Sequence, residues 1–182
     1  MKNYSNKLLL TMPHIKDPIF SKSVIYLFRH DKNGSMGLII NKPMEQNLLE
    51  QINTEGGLKE LNQKLQIYFG GPVSMDMGFV LHDNKYKTQH TMKLSESISL
   101  TSNDQILNDL RAGKGPKKYK FSIGYSGWSS GQLDEEIQAG DWIVLPAKNN
   151  VIFDINESKK WENITKQYGF EFKDLTGFSG SA

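Results

Sequence analysis

Apolar positions along this chain gather in short runs rather than in long helical periods. Residues 23–29 (SVIYLFR) are β-branched and aromatic, Asp31-Lys32-Asn33-Gly34 follows, and residues 36–41 (MGLIIN) are apolar again. Two such runs around a short turn containing Asn-Gly predict a β-hairpin, which Pro43 terminates. Further strands are predicted at 67–69, 78–82, 97–101, 119–125, 142–145 and 151–153, the last two as a hairpin. Helical spacing appears in four places. Residues 48–65 are helical in part, interrupted by Gly56-Gly57. Ser102 to Gln105 reads as a capping box, and the helix behind it carries Ile106, Leu107 and Leu110 before stopping near Gly113. Ser129 to Gln132 reads as a second box, ahead of Leu133 and Ile137 at i, i+4. Trp161, Ile164 and Tyr168 line one face of a last helix ending at Gly169, and the small, polar tail 178–182 is expected to be loose. Strands that first pair locally and then alternate with helices predict an α+β protein.

Two glycine-punctuated stretches stand out from this pattern. One is Gly70-Gly71-Pro72-Val73 running on to Gly78 and His82; the other is Gly124-Tyr125-Ser126-Gly127-Trp128-Ser129-Ser130-Gly131-Gln132 running on to Glu136. Glycine serves where the backbone takes positive φ or where another group comes close, so both read as turns of fixed shape.

Composition narrows the functional classes. At 182 residues the chain is expected to form one domain spanning 1–182. A net charge of +2 creates no global field toward nucleic acid or membrane. Arg29 and Arg111 are the only arginines, which argues against a reader of base edges. With no cysteine, disulfides, thiolate metal sites and a cysteine nucleophile are excluded. The apolar run at residues 8–10 is too short for a signal peptide, and no stretch approaches the ~20 apolar residues of a membrane span. A soluble cytoplasmic protein is expected.

Several residue groups invite chemistry, each with a plainer alternative. Gly127-Trp128-Ser129-Ser130-Gly131 matches the G-x-S-x-G elbow between strand and helix. Ser129 is equally a helix cap, and no histidine follows residue 131. Gln132 and Glu136 share a helix face and could meet a ligand beside Trp128; Asp134, Glu135 and Glu136 could equally complement the helix dipole. His30 and His82 end strands and could converge with Asp17 or Asp76, whereas His14 and His90 sit in polar loops. No metal-ligand spacing is present. Gly70 and Gly71 could offer backbone N–H groups to an anion. Lys114, Lys117, Lys118 and Lys120 form the only basic cluster, with Tyr119 among them, able to grip phosphates or to remain a solvated charge run.

These motifs, in this order, resemble the AlgH/YqgE family of bacterial proteins. The likeness starts at Leu8-Leu9-Leu10-Thr11-Met12-Pro13 and Asp17-Pro18-Ile19-Phe20. It passes His30, the strand ending at Asn41-Lys42-Pro43 and both glycine stretches, and reaches Trp142 and the helix around Trp161. The resemblance implies a mixed, branched β-sheet containing a small barrel, flanked by helices, and the transcriptional-regulator role with which members are labelled. Departures matter too. Phe28-Arg29-His30 stands where relatives often have a cysteine before Glu-His, which removes a thiol role. Asn103 replaces an arginine, and Gly180-Ser181-Ala182 replaces a terminal Gly-His-Ala.

Sequence and resemblance together predict a non-catalytic cytosolic regulatory protein that binds a protein partner or nucleic acid, with no catalytic residue, cofactor, metal or membrane. The alternative is a small-molecule sensor or enzyme whose cleft is lined by the Gly70 and Gly124 motifs, with His30, His82, Gly127, Trp128, Gln132 and Glu136 around it. A third is an interaction protein displaying Trp142 or Trp161 on its surface.

Overall fold

The computed structural model describes residues 2–45 and 65–168. The nine strands found there are β1 (Lys7–Thr11), β2 (Val24–Asp31), β3 (Gly34–Ile39), β4 (Ile67–Phe69), β5 (Val73–Asp83), β6 (Thr91–Lys93), β7 (Ile98–Thr101), β8 (Tyr119–Trp128) and β9 (Trp142–Pro146). The four helices described are α1 (Asp104–Arg111), α2 (Gln132–Ala139), α3 (Asn149–Phe153) and α4 (Glu157–Gln167). The segment predicted as partly helical at 48–65, apart from Leu65, and the Gly169 stop and tail lie outside the described residues.

All strands join one mixed sheet in the order β6-β7-β5-β8-β3-β2-β1-β9, and β4 adds to β8 off this path. The sheet is therefore branched, and β8 is the branch. Its residues Phe121 to Ile123 lie between antiparallel β5 and parallel β4. Its far end, Ser126 to Trp128, pairs antiparallel with β3.

The continuous apolar runs of β1, β2 and β3 follow from burial on both faces. Leu8, Leu10, Val24, Tyr26, Leu38 and Ile40 enter one core, which Phe79, Leu81, Ile98 and Leu100 reach from the other half of the sheet. Strands so far apart in the sheet meet there only because the sheet curls around that core. The barrel implied by the resemblance thus takes the form of a curled sheet whose path runs from β6 to β9. Trp161 and Ile164 of α4 and Val151 and Ile152 of α3 seal this core. On the opposite face Leu9, Ile25, Leu27 and Ile39 pack under α2 with Trp128, Leu133 and Trp142. A third cluster puts Ile106 of α1 against Val80, Phe121 and Ile123.

The structure corrects three local expectations. Residues 151–153 are helical, within α3. Their β-branched sequence is overruled by Lys160, whose ammonium donates to the carbonyls of Val151, Ile152 and Ile155. The cap of α1 is Asn103, whose side chain accepts from the Ile106 N–H, and not Ser102. At α2 the N-cap is Gly131 in the left-handed region. Half of the expected box survives there, because the Gln132 side chain reaches back to the Ser129 N–H.

Candidate functional site

The two glycine stretches lie directly against each other. Gly70 donates its N–H to the Ile123 carbonyl and accepts from the Ile39 N–H. A Cβ on Gly70 would meet the Gly124 carbonyl oxygen at 2.3 Å, and one on Gly124 would meet the Gly71 oxygen at 2.3 Å. The crossing at Gly70, Gly71 and Gly124 is filled by backbone, so these glycines bring β8 and the β4–β5 connection together and line no cleft themselves.

Glu136 binds two indoles. Its Oε2 accepts from Trp128 Nε1 at 2.8 Å and Trp142 Nε1 at 2.7 Å, and its Oε1 accepts from Gln132 Nε2 at 2.9 Å. The indoles meet edge-on with centroids 5.8 Å apart, and Phe20 adds a second edge contact to Trp142. Sharing a face at i, i+4 does bring Gln132 and Glu136 together, but the carboxylate's acceptors serve the protein's own N–H groups. In Glu136→Gln the amide oxygen can still accept from the indoles, while its NH2 opposes the Gln132 donor. We expect a loss of about 1–2 kcal/mol in urea unfolding, with a shift in tryptophan emission. An unchanged midpoint and spectrum would show that this carboxylate does not hold α2.

His30 is buried. Its Nδ1 lies 2.7 Å from Ser35 Oγ; its Nε2 is 3.7 Å from Asp134 Oδ2 and lacks a hydrogen-bond partner. The Tyr4 ring packs against the imidazole at a tilt of 51°, with centroids 5.0 Å apart. His82 is buried at the far end of β5. Its Nδ1 donates to the Asp83 carbonyl, and its Nε2 accepts from Thr101, which bonds Thr91. Burial pushes its pKa below the usual imidazole value, against the opposing pull of Asp83. The two histidines do not converge. His14 instead pairs with Asp141, and Asp17 accepts from the Ile19 and Phe20 N–H groups. Among the described residues no cluster of three His, Asp or Glu side chains is arranged to hold a metal, and no hydrogen bond joins Ser129 to a histidine.

The basic cluster divides. Lys114 and Lys117 are exposed, and Lys118 pairs with both oxygens of Asp154 at 2.7 Å. Lys120, expected as a phosphate contact, is buried. It bonds Glu157 and lies 4.1 Å over the Tyr68 ring. Burial lowers the Lys120 pKa. Burial would raise Glu157, but the Lys120 hydrogen bond and charge, with the other hydrogen bonds it accepts, outweigh that and lower it. Lys120 lies inside β8 with the Glu157 and Tyr68 side chains against it, whereas Lys118 precedes the strand. Trp142 and Trp161 are buried as well, so neither is a surface aromatic.

What the glycines do leave open lies at the end of β8. An open cleft of about 330 Å³ sits over Gly127, walled by Arg29, Asn33, Met36, Val73, Tyr125 and Ser129. Sequence reasoning named Gly127 but missed Arg29, Met36 and Tyr125 as its neighbours. Only the scarcity of arginine marked Arg29. A larger apolar hollow of about 680 Å³ at Ile19, Met44, Phe69 and Met75 runs up to Glu45, where the described residues stop.

Residues 8–173 match the AlgH-like family profile. The chain belongs to the AlgH-like family. A UPF0301 protein of Shewanella oneidensis is 36% identical over 187 residues, covering all of both chains. One from Dechloromonas aromatica is 33% identical, covering 99% of this chain and 98% of its own. Among solved structures, the solution structure of AlgH from Pseudomonas aeruginosa superposes with a TM-score of 0.74 at 35% identity over the full length of both. A crystal structure from Corynebacterium diphtheriae also gives 0.74, at 16% identity, covering 98% of this chain and 94% of that one; this second likeness speaks for the AlgH-like fold alone. No helix among the described residues is long and apolar enough to cross a membrane.

Proposed function

We propose that this AlgH-like protein is a non-catalytic, cytosolic binding protein, one domain over its 182 residues, with a regulatory role exerted through a bound partner or ligand. The observation that carries this reading is the internal commitment of the polar groups that chemistry would use. Glu136 holds Trp128, Trp142 and Gln132. His82 is saturated, and Ser35 occupies one ring nitrogen of His30. Such networks fix a shape for recognition.

A direct grip on nucleic acid is the weaker form of the idea, since Lys120 is buried and Lys118 is paired. Lys114 and Lys117 alone would supply about two phosphate contacts, against six to ten in strong binders. Fluorescence anisotropy of labelled duplex, single-stranded and branched DNA at two salt concentrations is expected to show no submicromolar binding. Salt-sensitive submicromolar binding that disappears in Lys114→Glu/Lys117→Glu would replace this reading with a nucleic-acid one.

The cleft over Gly127 favours a second reading, a small-molecule sensor. Its volume falls at the lower end of the range for ligand sites, and apolar walls with a few polar groups are their usual lining.

A further inference from the structure

We infer that the cleft over Gly127 takes a compact carboxylate with an apolar body, held by the Arg29 guanidinium; this rests on the sensor reading above. Arg29, Met36 and Gly127 form a row across three strands, Arg29 paired with Met36 and Met36 with Gly127. Two backbone irregularities flank that row. A bulge in β2 between Leu27 and Arg29 re-aims Arg29, and a second in β5 between Val73 and Gly78 stands Val73 beside Tyr125. Ser74, at the start of this second bulge, has φ of +50° without being glycine. Bulges and strained residues of this kind gather at binding sites.

The chemistry follows from what each group leaves free. Asp31 Oδ2 holds Arg29 Nε at 2.6 Å, and Asp31 is itself fixed by the Asn33 N–H. That contact orients the guanidinium while its two terminal nitrogens have no protein partner among the described residues. A planar fork of two N–H donors matches a carboxylate edge-on. Asp31 occupies the Nε side and offsets part of the arginine charge, so a second negative charge, as on phosphate, is opposed more strongly than the single one of a carboxylate. The floor has no side chain at Gly127: a Cβ there would first meet Tyr125 and Val73, at 3.4 and 3.6 Å. Tyr125, Val73 and Met36 then offer apolar walls to a ring or branched chain lying across that floor.

The test uses the full chain, 15N-labelled, with phenylacetate, phenylacetamide and inorganic phosphate as probes to about 10 mM, a weak-binding range. Phenylacetate is expected to shift the amides of residues 29, 36, 73, 125 and 127 together, and phenylacetamide and phosphate to bind at least about tenfold more weakly. Arg29→Gln should weaken phenylacetate by about tenfold or more. Gly127→Val, a strand-compatible residue that fills the floor, should abolish binding. Unshifted amides elsewhere report that both variants are folded. If phenylacetamide or phosphate binds as well as phenylacetate, or Arg29→Gln leaves affinity unchanged, the ligand class is wrong although the cleft remains a site. If no probe shifts these amides, the sensor reading falls with it.

Discussion

Gly71→Ala should cost at least about 4 kcal/mol, or yield no folded protein at all, an effect confined to severe backbone conflicts. Gly71 has φ of +149°, and a Cβ there would lie 2.2 Å from the Tyr125 carbonyl carbon and 2.3 Å from the Ser126 nitrogen. Those atoms cannot step aside, because Tyr125 pairs with Val73 and Ser126 with Gly37. Gly140→Ala is the matched control. That glycine is also left-handed, at +83°, but a Cβ would meet nothing within 4 Å, so only the conformational cost of about 1–2 kcal/mol applies. Urea unfolding of both variants separates the two causes. Equal losses would mean that backbone conformation, and not the crossing of the two stretches, is what Gly71 supplies.

Lys160→Met should destabilise the protein by about 3 kcal/mol at neutral pH. Lys160 is fully buried, and its ammonium donates to the carbonyls of Val151, Ile152 and Ile155. Methionine preserves the stem and strands those acceptors without a donor. The same residue sets a pH dependence. Burial, first, and the nearby Lys120 charge bring the Lys160 pKa from 10.5 down to about 8. Between those values the unfolded chain binds a proton that the folded protein does not, so stability contributed by this group rises with pH across that window and is lost as pH falls through about 8. The rise amounts to about 3 kcal/mol at most. Above pH ~10 the buried phenols act in the opposite sense. Burial raises Tyr26, and burial with Glu157 raises Tyr68, so both favour folding below the unfolded tyrosine value and cease to do so as they ionise. Unfolding free energies from pH 7 to 10 should therefore climb more steeply for the wild type than for Lys160→Met. Parallel curves would remove Lys160 as the source.

The hairpin of β2 and β3, the strands at 67–69 and 98–101, and α4 were all legible because local signals and tertiary burial agree there. The apolar run of β1 is as clear, but three consecutive leucines say nothing about period, and its two partners are remote in sequence: β2 on one edge and β9 on the other. At residues 151–153 propensity pointed one way and a lysine seven residues beyond decided the other. The candidate site shows the same division. Helical spacing placed Gln132 beside Glu136, yet the second indole on that carboxylate, Trp142, arrives from the following strand. Lys118 and Lys120 look alike in a linear reading, and only the tertiary neighbours of Lys120, Glu157 and Tyr68, separate a buried side chain from a half-exposed one. The Arg29 cleft was the least legible of all, since it depends on two bulges and on strands 44 and 98 residues away along the chain, at Val73 and Gly127.

The pairing of β1 with β9 also constrains how the chain is made. Synthesis runs from the N-terminus, so residues 7–11 leave the ribosome long before residues 142–146, their antiparallel partners, exist. At about 5–20 residues per second, that interval lasts several seconds or more. Throughout it, one edge of a strand built on three consecutive leucines has no native neighbour. The branch strand β8 is late as well, so neither half of the sheet can be completed early. During those seconds the unpaired edge is open to non-native pairing, and the mature protein's stability says little about how efficiently the chain gets there.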